Sequence, residues 1–151
     1  MKSLIIYISV HHKNTEKIAE AIAEVLQSEI KKLNEVFDED LSSYDMVGFG
    51  SGIYMWQHHK SIFNFVDKMT DKDRKPVFIF STSGTKGGIK YHKELRNKLL
   101  KKNCYIIGEF NCLGWDSVGP LILVGGINKK RPNEKDLEDA KRFALTLKEK
   151  V

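Results

Sequence analysis

The sequence predicts an α/β chain built on an open parallel sheet. Short apolar runs alternate with stretches of helical periodicity, and no repeat, low-complexity segment or linker interrupts them. The runs at 4–8, 46–50 and 77–80 are apolar at nearly every position, as strands buried on both faces require. Strands alternating with helices close into right-handed βαβ units, so the whole chain, 1–151, reads as one domain.

The first strand is expected at 4–8. Ile18, Ile22, Val25, Leu26, Ile30 and Leu33 then form one stripe at helical spacing, which predicts a long first helix. A second strand is expected at 35–37, with 38–45 left for a turn of helix before the third strand at 46–50. Ile62, Phe63, Phe65, Val66 and Met69 predict the next helix, and the fourth strand follows at 77–80. Tyr91, Leu95, Leu99 and Leu100 mark a helix before the fifth strand at 105–110. The last helix carries Leu137, Ala140, Phe143, Ala144 and Leu147. It begins after Pro132 with Asn133 as the capping residue.

In open parallel sheets ligands bind beyond the carboxyl ends of the strands, where the strand order reverses. Function is therefore sought in the loops after each strand. After the first comes Ser9-Val10-His11-His12-Lys13-Asn14-Thr15, which joins strand to helix. Hydroxyl and amide side chains, with free N–H groups at a helix start, make an anion site. The same residues suit plain helix capping equally well. The Walker and dinucleotide glycine fingerprints are absent.

Ser9 through Ala19, ending Asn14-Thr15-Glu16-Lys17-Ile18-Ala19, resembles the phosphate loop of flavodoxins, a hydroxyl-rich Thr/Ser-x-Thr-Gly-Asn-Thr turn. Lys13 replaces the family glycine, and Ser9 lies one residue further from Asn14-Thr15 than usual. The resemblance covers nearly the whole chain in element order. It implies a flavodoxin-like three-layer domain whose five-stranded parallel sheet has the order 2-1-3-4-5, with helices on both faces. It also implies noncovalent FMN, with Ser9, His11, His12, Lys13, Asn14 and Thr15 around the phosphate.

Gly52, Ile53, Tyr54, Met55 and Trp56, in the loop after the third strand, are expected to reach the flavin ring, with Tyr54 or Trp56 stacking on it. His58 and His59 are expected to be solvated at a helix start rather than metal-bound. Thr82, Ser83 and Gly84, after the fourth strand, are expected at the polar edge of the ring. The long segment from Asn111 to Pro132 is expected to fold over the site, bringing Trp115 near the ring.

No triad, paired-carboxylate or reactive-thiol constellation is visible in local spacing, so no catalytic residue is assigned. Electron carriage between redox protein partners is thereby favoured over an FMN-dependent oxidoreductase acting on a quinone or protoporphyrinogen, whose loop at 50–59 is also similar. A flavin-free signalling domain would want acidic residues where Ser9 and Ser51 stand. The net charge of +5 is spread over scattered lysines, without a nucleic-acid recognition signature, and is read as solvated surface first and as steering of acidic protein partners second. No apolar run approaches the ~20 residues of a membrane span. The cytoplasm is the expected location, with Cys104 and Cys112 as reduced structural thiols and the chain a monomer or homodimer.

Overall fold

The computed structural model describes residues 1–10, 12–36, 41–70, 74–117 and 119–151. Five strands form the parallel sheet: β1 (Ser3–Ile8), β2 (Glu29–Lys32), β3 (Met46–Tyr54), β5 (Lys75–Ser83) and β6 (Cys104–Leu113). A short antiparallel strand, β4 (Gln57–His58), pairs with the end of β3. The order β2-β1-β3-β5-β6 is the 2-1-3-4-5 order that the flavodoxin resemblance implied.

Alternation along the buried strands builds the two other layers. Ile5 and Tyr7 of β1 and Phe78 and Phe80 of β5 point to one face, against α1 (Asn14–Leu26) and α4 (Glu134–Lys148). Leu4 and Ile6, with Val77 and Ile79, point to the other, against α2 (Lys60–Lys68) and α3 (Lys93–Lys101). Burying both faces is what selects continuous apolar runs here. Gly48 and Gly50 of β3 make room for the neighbouring strand's rings. A Cβ on either would lie 2.1 Å from Cζ of Phe78 or Phe80.

Two expectations near the second strand need correction. α1 stops at Leu26, and Gln27, at φ 54°, turns the chain out of the helix. Ile30 therefore lies in β2, and Leu33 in a one-turn 3₁₀ helix (Leu33–Glu35), which also takes Glu35 out of its expected strand. The rest of that expectation, at Phe37 and through Asp38-Glu39-Asp40, lies outside the described residues. β2 is a short, charged edge strand, Glu-Ile-Lys-Lys, whose single apolar residue continues the helical stripe by coincidence of spacing.

The last helix begins as expected. The Asn133 side chain accepts from the Asp136 N–H at 3.0 Å, and the Asp136 carboxylate accepts from the Asn133 N–H at 2.8 Å. Cys104 and Cys112 are free and buried. Burial pushes the Cys104 thiol up, and burial together with the Asp136 charge pushes Cys112 up to about 12. No helix among the described residues is long and apolar enough to cross a membrane.

Candidate functional site

The chain leaves β1 through Ser9 and Val10 and enters α1 through His12 and Lys13, both left-handed at φ 56° and 54°. A glycine would adopt that backbone without strain, and Lys13 does so at a cost. As the N-cap residue, Lys13 places no side chain on the first-turn N–H groups of α1; the caps of α2 and α4 are filled by His59 and Asn133. Ser9 Oγ accepts from the Glu16 N–H at 3.4 Å. His11 lies outside the described residues.

The loop is tied to its neighbours by side chains. Thr15 Oγ1 lies 3.0 Å from Thr82 Oγ1, a buried hydroxyl pair joining α1 to the end of β5. Asn14 Nδ2 donates to the Trp115 carbonyl at 2.8 Å, while Asn14 Oδ1 is buried without a partner. Trp115 stacks on the His12 ring, centroids 3.4 Å apart, and Lys129 Nζ lies 5.7 Å from the indole centre. The indole N–H donates to the Gly125 carbonyl, and His12 Nε2 is 2.6 Å from Ser117 Oγ. Trp115 therefore belongs to the wall of the loop between β1 and α1. Its ring is engaged by His12 before any ligand is considered.

The segment expected as a loop after the third strand is a β-hairpin. β3 continues past Gly50 through Gly52, Ile53 and Tyr54, turns at Met55 and Trp56, and returns as β4. Both turn residues have positive φ, 50° and 69°, the pattern of the tight turns that match strand twist. Such turns favour Asn-Gly, so Met-Trp hid this one in the sequence. The tip stands out in solvent, with Met55 88% and Trp56 73% exposed. Trp56 stacks on Tyr91 at 6.3 Å and Tyr54 meets His59 edge-on at 5.1 Å. Burial and then the Asp116 charge raise the Tyr54 hydroxyl above its ordinary value.

Thr82 and Ser83 are buried residues of β5 rather than loop residues. Ser83 Oγ donates to the Thr85 carbonyl, and Asn111 Nδ2 donates to Ser81 Oγ at 2.8 Å and Ser83 Oγ at 3.2 Å. Gly84 follows, so close to Asp116 that a Cβ would sit 2.4 Å from its carboxylate. Asn128 Nδ2 donates to the Gly84 carbonyl. Ser9, His12, Lys13, Asn14, Thr15, Thr82 and Trp115 thus form one linked group. Gly52 to Trp56 form a second, and Asp116 lies between the two through Tyr54 and Gly84.

Behind the hairpin sits a polar cluster that the sequence did not disclose. His58, expected to be solvated, is 1% exposed, and His92 is fully buried. Their partners, Ser51 and Ser81, are hydroxyls at the buried ends of apolar strands, and that was the available signal. Among the described residues no group of three or more His, Cys, Asp or Glu is placed to hold a metal ion.

The residues present suit a flavin phosphate and its sugar alcohol. The start of α1, with no cap from Lys13 itself, offers the Asn14 and Thr15 N–H groups and the positive end of a helix dipole beside the Lys13 ammonium. The buried Asn14 Oδ1 needs a donor, which a ligand hydroxyl can supply.

A flavodoxin domain model matches residues 4–111, from β1 into β6. An uncharacterized protein of Methanocaldococcus jannaschii is 50% identical over 148 residues, 97% of this chain and 98% of that one. A flavodoxin from the domain Archaea superposes with a TM-score of 0.75 at 18% identity, covering 99% of this chain and 98% of the other. Oxidised flavodoxin 2 from Bacillus cereus gives 0.73 at 19% identity, with full coverage of both. A Lactobacillus acidophilus flavoprotein solved in complex with FMN matches 73% of this chain and 92% of its own, with a TM-score of 0.59 at 21% identity. At such identities these structures speak for the fold. The model match and the half-identical relative show the family: the chain belongs to the flavodoxin domain family.

Proposed function

We propose that this chain binds one FMN without a covalent bond and carries electrons between redox protein partners. The observation that carries the reading is the start of α1, whose N-cap residue Lys13 supplies no side-chain cap, at the reversal point of a flavodoxin-type sheet. When bound, FMN supplies the redox chemistry by taking up and returning electrons through its ring.

The protein's part is binding and electrostatics. The N–H groups at Lys13, Asn14 and Thr15 hold the phosphate, with Ser9, His11 and His12 beside it. Asn14 Oδ1 accepts from a sugar-alcohol hydroxyl. The hairpin residues Gly52, Ile53, Tyr54, Met55 and Trp56 flank the ring, with Tyr54 or Trp56 as its stacking partner, and the backbone at Thr82, Ser83 and Gly84 meets the polar edge of the ring. Trp115 closes the phosphate side through His12. No residue is given the role of catalytic acid or base.

Lys13, Lys86 and Lys129 to Arg131 make the surroundings basic, and the chain carries +5 overall. Positive charge favours the electron-rich form of a bound group, within a screening length of ~10 Å. It also favours acidic protein partners, in a cytoplasmic setting.

Absorbance of the purified protein before and after added FMN tests the reading: one equivalent should bind and turn the protein yellow. Potentiometric titration should then give a midpoint less negative than in acidic flavodoxins. A protein that stays colourless with excess FMN sinks the proposal. Steady turnover of NAD(P)H with a quinone, or of protoporphyrinogen, would replace the carrier with an oxidoreductase.

A further inference from the structure

The long segment after β6 makes an excursion whose base is fixed. The Asp116 N–H donates to the Ile127 carbonyl at 3.0 Å, and the Ile127 N–H donates back to the Asp116 carbonyl at 2.7 Å. The Trp115 indole donates to the Gly125 carbonyl at 2.9 Å. Gly126, at φ 86°, packs so closely that a Cβ would stand 2.5 Å from the Asp116 carbonyl oxygen. From this base projects the 3₁₀ helix Gly119–Val124.

Its sequence is Gly-Pro-Leu-Ile-Leu-Val, and Ile122, Leu123 and Val124 are 69%, 86% and 75% exposed. With three residues per turn, these consecutive side chains project about a third of a turn apart. The tip is thus apolar on every side rather than along one stripe. Docking flat against another protein would cover one side and leave the others in water. Immersion covers them all. Two carbonyls of the turn are satisfied within the excursion: Leu121 accepts from the Gly126 N–H at 2.8 Å and Ile122 from the Gly125 N–H at 3.2 Å. A backbone entering an apolar medium needs such closure.

Charge decides the medium. Val10, Met55, Trp56 and Ile89, on other loops at the carboxyl end of the sheet, are exposed as well. The loops at this end (9–13, 55–59, 84–92 and 114–133) hold Lys13, Lys86, Lys90, Lys129, Lys130 and Arg131. Of the chain's 20 acidic residues they hold Asp116 alone. Arg131 is engaged by Asp136, whereas Lys129 and Lys130 are exposed just beyond the tip. An apolar tip inside a cationic collar complements a bilayer with anionic headgroups. A second copy of the same end would set like charge against like charge.

We infer that the Leu121–Val124 tip inserts into the headgroup boundary of an anionic bilayer and, with Lys129 and Lys130, holds the chain on the membrane surface. The contact is peripheral and turns the carboxyl end of the sheet toward the lipid. It requires no flavin, so it stands apart from the reading above.

Cosedimentation of the full chain with vesicles tests it, comparing a phosphatidylglycerol–phosphatidylcholine mixture with phosphatidylcholine alone at low salt. The chain should pellet with the anionic vesicles and stay in solution with the neutral ones. Leu123→Ser should weaken binding by roughly tenfold, through the loss of one inserted aliphatic side chain. Lys130→Ala should weaken it by about fivefold. Both residues are exposed, so neither change disturbs the core. Leu123→Cys, labelled with an environment-sensitive dye, reads immersion directly, since Cys104 and Cys112 are buried. Its emission should shift to the blue on anionic vesicles. Binding unchanged in Leu123→Ser, or a dye that stays in water, overturns the inference. A chain that ignores anionic vesicles overturns it too and gives the tip to a protein socket, or to a second copy if Leu123→Ser abolishes self-association.

Discussion

The rings of His12 and Trp115 stack with their planes 14° apart, joining the loop that opens α1 to the long segment after β6. Asn14 Nδ2, which donates to the Trp115 carbonyl, makes the same junction a second time. The loop between β1 and α1 is therefore braced from outside.

Replacing Trp115 with Ala removes that brace. An aromatic pair contributes about 0.5–1.5 kcal/mol beyond burial, so the Kd for FMN should rise by roughly 2- to 13-fold. Fluorescence titration of free flavin measures it, and an unchanged Kd would take Trp115 out of the site.

Lys13→Gly should stabilise the ligand-free protein. Lys13 sits at φ 54°, where a side chain costs about 1–2 kcal/mol, and the greater freedom of glycine in the unfolded chain returns part of that. A net gain of about 0.5–1 kcal/mol is expected by urea unfolding. The same change should weaken FMN binding most at low salt, because a cation leaves the cradle.

Gly50→Ala tests the packing between β3 and β5. The added Cβ would stand 2.1 Å from Phe80 Cζ, on a ring that is fully buried. A loss of about 1–3 kcal/mol in denaturant unfolding is expected, the usual cost of overpacking. A neutral result would mean that the Phe80 ring repacks freely.

Stability should fall as the pH drops below the ordinary histidine value. Burial holds His58 well below 6.5 and, to a lesser degree, lowers His59, so the folded chain refuses protons that the unfolded chain accepts. Above that value both forms are neutral and the contribution is complete; it shrinks as pH falls toward the folded-state values. Thermal unfolding between pH 8 and 5 should show the decline, and His58→Gln should flatten it.

The sheet was legible because β1, β3 and β5 are buried on both faces and so carry almost unbroken apolar runs. β2 was not, since an edge strand of Glu-Ile-Lys-Lys has no such need and its isoleucine fell in step with α1. The start of α1 could be read from Asn14 and Thr15, whose helix-opening chemistry is local. The hairpin could not, because Met55 and Trp56 adopt a turn that their side chains disfavour and that only the pairing of β3 with β4 enforces. The His58–His92 pair escaped for a different reason: the residues lie 34 positions apart and meet only once the sheet is assembled.

A crystal grown with excess FMN tests the central claim most directly. The account predicts phosphate density against the N–H groups of Lys13, Asn14 and Thr15, with the flavin ring beside Tyr54 or Trp56. Phosphate bound elsewhere, or a cradle filled by the Lys13 side chain, would contradict it.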